Sequence, residues 1–71
     1  MGVMIMTPDD IRRLRFEMRM TLAEFGEKFG VTESAVSRWE AGITHPRYNA
    51  VVKMNQLWTE FNVGREKAGV A

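Results

Sequence analysis

The chain contains no cysteine, two prolines and a single histidine. Without thiols it can build neither a disulfide framework nor a thiolate metal site, and His45 alone cannot ligate a zinc or iron centre. No stretch approaches the ~18 consecutive apolar residues of a membrane span. The short Met1 to Met6 run lacks the charged flank and apolar length of a signal peptide. The chain is therefore expected to be soluble, to reside in a reducing cytoplasm and to have no membrane partner. Catalysis finds no footing either: there is no nucleophile beside a base, no metal-ligand spacing and no glycine-rich phosphate loop, so neither an enzyme nor a cofactor is expected. Net charge is also scarce, at +1, so bulk composition makes no case for a nucleic-acid partner.

What the chain does have is 71 residues, 45% of them hydrophobic and 27% charged, the balance of one folded domain around one core. At this length only roughly 60% of the unfolded surface can be buried, which favours helices. Charge is unevenly placed, with Arg12, Arg13, Arg15 and Arg19 crowded together early in the chain. An ordinary solvated helix face would look the same.

Thr7-Pro8-Asp9-Asp10 is a helix start: a hydroxyl N-cap, a proline where its missing N–H costs nothing, and acids at the positive end of the helix dipole. The first helix is expected over 8–19, with Ile11, Leu14 and Met18 inward. Thr21 and Glu24 form a capping-box pattern that opens a second helix ending at Gly30, with Leu22, Phe25 and Phe29 as its buried stripe. Gly26 inside it costs ~1 kcal/mol relative to alanine, which suggests close packing by another helix. Thr32 caps a third helix over 33–41, closed by Gly42. Ala35, Val36 and Trp39 face inward there, while Glu33, Ser34, Ser37 and Arg38 face outward. A last helix over 48–61 carries Val51, Met54, Trp58 and Phe61 on one side, with Ala50 and Leu57 beside them. Met18, Met20 and Met54 are read as core filling, and Lys53 as a solvated charge. Residues 1–6 and 63–71 are expected to be flexible tails around a domain at 7–62.

Two short helices joined by Gly30-Val31-Thr32, the second with small polar residues outward, suit the ~12 Å width of the DNA major groove. The run Leu22-Ala23-Glu24-Phe25-Gly26-Glu27-Lys28-Phe29-Gly30-Val31-Thr32-Glu33-Ser34-Ala35-Val36-Ser37-Arg38-Trp39-Glu40-Ala41-Gly42 resembles the phage Cro and repressor, or XRE-like, helix-turn-helix family. The likeness extends back to Leu14-Arg15 and forward to Pro46. It implies an all-α fold, a compact four- to five-helix bundle of lambda-repressor-like type with its helix-turn-helix at 21–42. It also implies a transcriptional regulator whose third helix enters the major groove of double-stranded DNA, usually as a homodimer on a near-palindromic operator.

Carried over by position, the resemblance places Thr32 on a phosphate and sets Glu33, Ser34, Ser37 and Arg38 against bases or their flanking phosphates. Arg38 can donate twice to guanine or pair with a phosphate, and Ser34 and Ser37 suit donor or acceptor edges. Glu33 replaces the glutamine common in the family; it either accepts from cytosine or only stabilises the helix N-terminus. Leu22 stands where many members carry a phosphate-binding glutamine, a contact left to Thr21 or Lys28. His45, Arg47 and Tyr48 match the segment that follows the sugar-phosphate backbone. Arg15 and Glu40 match a partly buried salt bridge between the first and third helices, and Trp39 matches a core position.

A rival reading is an antitoxin-like or accessory module that binds a partner protein through the last helix and Phe16. The simpler account of that apolar surface is a homodimer interface formed by Val52, Trp58 and Phe61. With no separate sensor domain legible, regulation is expected through concentration, a partner, proteolysis or competition for the operator.

Overall fold

The computed structural model describes residues 4–61. They form four helices, α1 (Pro8–Glu17), α2 (Leu22–Phe29), α3 (Glu33–Ala41) and α4 (Tyr48–Glu60), and no strand occurs among the described residues. The fold is all-α, with four helices where the sequence allowed four or five. The expected tail at 63–71 and the last residue of the 7–62 domain lie outside the described residues, as do residues 1–3.

Local chemistry sets the helix starts. Thr7 accepts from the Asp10 amide at 3.1 Å while the Asp10 carboxylate accepts from the Thr7 amide at 3.1 Å, and Thr21 and Glu24 repeat the exchange at 3.1 and 2.9 Å. Each reciprocal pair satisfies two amides that have no partner within the helix. Thr32 caps α3 by accepting from the Ala35 amide. Arg47 precedes α4 without a side-chain cap.

The first three helices end alike. Gly30 and Gly42 take left-handed conformations, φ 71° and 77°, and the following amides fold back: Val31 donates to the Gly26 carbonyl and Ile43 to that of Arg38. After α1 the same closure is made without glycine. Arg19 sits at φ 56°, its amide donating to Phe16 and that of Met20 donating to Arg15. This left-handed residue ends α1 at Glu17 and leaves Met18 as its C-cap, earlier than the sequence suggested.

The core comprises Ile11, Leu14 and Met18 from α1 and its cap, Phe25 from α2, Val36 and Trp39 from α3, Met54 and Leu57 from α4, and Met6 from the entering segment. Leu22 and Phe29 are only half-buried, and Phe61 is 43% exposed, so the inward face of α4 is set by Met54 and Leu57 rather than by Phe61. Residues 4–6 are not free of the domain. Met6 is 5% exposed, and Asn55 on α4 accepts from the Met4 amide at 2.7 Å and donates to its carbonyl at 2.9 Å. That two-way amide contact ties the segment to the last helix.

Gly26 is buried, but another helix is not what crowds it. A side-chain carbon there would stand 2.7 Å from the Val31 carbonyl oxygen and 3.2 Å from backbone atoms of Thr32. The turn itself folds back over the middle of α2, fixing the angle at which α3 leaves it.

Candidate nucleic-acid interface

Helix α3 is nine residues long and divides cleanly between two environments. Val36, Trp39 and Glu40 are buried and Ala35 is half-buried. Glu33, Ser34, Ser37 and Arg38 are exposed, as is the capping Thr32. Glu33 and Ser37, and likewise Ser34 and Arg38, are four residues apart and therefore neighbours on the outer face. That face carries a carboxylate at the helix start, two hydroxyls and a guanidinium towards the end.

What holds this face outward is a polar clamp on its inner side. Arg15 of α1 donates through Nε to Glu40 Oε2 at 2.7 Å and through Nη2 to Oε1 at 3.1 Å, while Nη1 donates to the Met20 carbonyl at 3.1 Å. One planar guanidinium thus joins α1, the α1–α2 turn and α3, using the fork geometry that favours arginine over lysine. The Arg15 pKa is raised, chiefly by its hydrogen bond to Glu40, against the lowering effect of burial and with the help of the Glu40 charge.

A second arginine joins the clamp, and the sequence reading did not single it out. Arg12 donates through Nη2 to the Glu40 backbone carbonyl at 3.2 Å and lies 3.5 Å from its carboxylate and 3.6 Å from Asp9. Its placement three residues before Arg15 puts it on the same helical face. Two of the early arginines are therefore committed to Glu40.

The other candidate residues are distributed around this helix. Thr21 is exposed at the start of α2, and its oxygen accepts the capping bond while its hydroxyl proton remains able to donate. Leu22 is half-buried against the core, which offers no polar group in place of a phosphate-binding amide. Lys28 is exposed near the end of α2. His45, Arg47 and Tyr48 are all exposed where the chain passes from α3 into α4. Arg38 and Arg47 enter no side-chain ion pair among the described residues. Trp39 is 6% exposed, with Phe29 edge-on to its ring at 6.3 Å, so it is a core residue unavailable for stacking on a base.

Of the three residues read as a subunit interface, Val52 and Trp58 are half-buried and Phe61 is exposed. Trp58 packs in part against its own core. Phe16 is 61% exposed under the Arg15 guanidinium, 4.8 Å from its ring centre. Lys53, read as a solvated charge, is exposed but engaged: its Nζ donates to the Lys28 carbonyl at 2.8 Å. An ammonium group at the negative end of α2 satisfies a carbonyl that the helix leaves open.

The sequence matches the helix-turn-helix family over residues 11–57, which runs from the first core residue of α1 to the last of α4. Neither curated proteins nor solved structures gave a match. The matched span covers most of the chain, its helices and turn have the geometry described above, and the family is one of DNA-binding regulatory domains. The chain belongs to the XRE, or Cro/repressor-like, helix-turn-helix family.

Proposed function

We propose that residues 7–62 form a sequence-specific DNA-binding domain of a transcriptional regulator, and that α3 reads the major groove of a near-palindromic operator. The observation that carries this reading is the outward face of α3. Four exposed polar side chains stand on a helix whose inner face is fixed by two apolar anchors and a two-arginine clamp. Preorganisation of this kind reduces the ordering that groove binding would otherwise require. Arg38 donates to guanine or a neighbouring phosphate, Ser34 and Ser37 to base edges or phosphates, and Glu33 accepts from cytosine N4. Thr32, Thr21, His45, Arg47 and Tyr48 supply phosphate contacts, which set register and contribute most of the salt dependence. Leu22 adds at most an apolar contact at the α2 start.

A homodimer paired through Val52, Trp58 and Phe61 places two such helices on successive major-groove turns. The exposure of Phe61 at the end of α4 supports that pairing. The competing role, docking of a protein partner, draws on the same apolar surface together with Phe16.

The test is selection of bound sequences from a random duplex pool by the purified protein. Enrichment of an inverted repeat with half-site centres about 10 base pairs apart is expected for a dimer reading one face of B-DNA. Recovery of unenriched sequences, with only weak salt-sensitive binding, would remove the operator-binding role.

A further inference from the structure

A groove of about 420 Å³ opens between the end of α2, the flank of α3 and the first turns of α4. It is within the ~300–1,000 Å³ range of small-molecule sites. Phe29, Val31, Ala35 and Ala50 give it an apolar lining, with Trp39 beneath. Its polar side chains are Asn49, His45 and three cations, Lys28, Arg47 and Lys53, and no carboxylate lines it among the described residues, although the chain has nine acidic residues. One of these cations is fixed in place. The bond from Lys53 Nζ to the Lys28 carbonyl sets the ammonium 5.5 Å from the centre of the Phe29 ring, leaving two N–H groups to donate.

We propose that this groove binds a small organic anion with a flat apolar body, such as an aryl sulfonate, carboxylate or phosphate. Each half of the site alone leaves a simpler occupant incompletely matched. Inorganic phosphate, or a phosphate on a duplex, meets the cations but leaves the aromatic lining unfilled. A neutral apolar molecule fills the lining but leaves the basic groups without a counter-charge. An aryl anion satisfies both: its ring lies against Phe29, Ala35 and Ala50, and its acidic group meets Lys28, Lys53 and Arg47. Such a ligand sits beside Arg47 and His45, the residues assigned above to the DNA backbone, so it and a duplex would draw on the same side chains. That regulatory consequence rests on the DNA reading; the site itself does not.

The test is a titration of the full chain, without DNA, followed by amide and indole shifts in proton–nitrogen correlation spectra. The probes are naphthalene-2-sulfonate, its neutral sulfonamide and inorganic sulfate. The sulfonate is expected to shift Phe29, Ala35, Ala50 and the Trp39 indole saturably, and to bind about tenfold more tightly than either control, as two or three partly solvated charge pairs allow. A Lys28→Gln/Lys53→Gln variant should weaken it by about tenfold. The wild-type map and probe ranking decide the matter even if that variant unfolds. Sulfate or sulfonamide binding as well as the sulfonate, shifts confined to Met4, Ile5 and Tyr48, exposed residues that line a separate groove, or no saturation would overturn the proposal.

Discussion

Two residues hold backbone positions that their side chains make informative. Arg19 occupies left-handed space at φ 56° without glycine's freedom, where a side chain costs roughly 1–2 kcal/mol. Its side chain enters none of the clamp's contacts, so Arg19→Gly should raise stability by about 0.5–1 kcal/mol after the added unfolded-state entropy is set against the relief. A rise in melting temperature checks this; a fall would mean that the arginine contributes something the backbone does not reveal. Gly26 is the converse case. Alanine there gains helix propensity of ~1 kcal/mol but sets a methyl group 2.7 Å from a backbone oxygen in the turn, and backbone cannot swing away as a side chain can. Gly26→Ala is expected to lower stability by about 1–3 kcal/mol in denaturant unfolding.

At the scale of the helices, α3 presents an exposed polar face while Glu40 on its inner side is anchored by α1. Glu40 is 9% exposed and its carboxylate meets Arg15 and Arg12, so Glu40→Ala leaves the largely buried Arg15 guanidinium without its counter-charge, while the half-exposed Arg12 keeps Asp9 and the backbone carbonyl. A loss of about 2–4 kcal/mol is expected in thermal or denaturant melting, scaled below a fully buried pair because the arginines keep some solvent. Arg15→Ala should cost less than Glu40→Ala, since Arg12 remains to meet the carboxylate. The raised pKa of Arg15 means that its contribution is fully present at neutral pH and is lost only as pH rises through that value into strong alkali. Stability near neutrality should therefore not vary on its account.

The starts of the first three helices were legible in the sequence because capping is local: threonine, and an acid three residues on where the cap is reciprocal, determine the geometry without reference to the rest of the chain. So were Gly30 and Gly42, whose missing side chains mark left-handed closures. The end of α1 was not, because an arginine makes the same closure, helped by the bond from Arg15 to Met20. Nor was the docking of residues 4–6, which depends on Asn55 far along the chain. The propensity cost of Gly26 signalled a close approach, but what approaches is the turn and not the neighbouring helix that the sequence suggested. Within the candidate interface, the outward residues of α3 followed from periodicity, whereas the roles of Arg12 and Lys53 required the partners that the fold brings to them.

At the scale of the whole molecule, a chain this short has a small core and an exposed phenylalanine at the end of its last helix. If α4 pairs two copies, Phe61→Glu should shift sedimentation from dimer to monomer while leaving helix content unchanged; an unaltered sedimentation profile would place the contact elsewhere. The central claim is that α3 reads bases, and its most direct measurement is the affinity of wild-type, Arg38→Ala and Arg47→Ala proteins for the selected operator and for a scrambled duplex, each at two salt concentrations. Arg38→Ala is expected to lose about 1–3 kcal/mol on the operator and little on the scrambled site, with melting unchanged. Arg47→Ala should weaken both duplexes evenly and reduce the salt slope by about one. An Arg38→Ala protein that keeps the full wild-type preference for its operator would contradict the assignment of α3 as the reading helix.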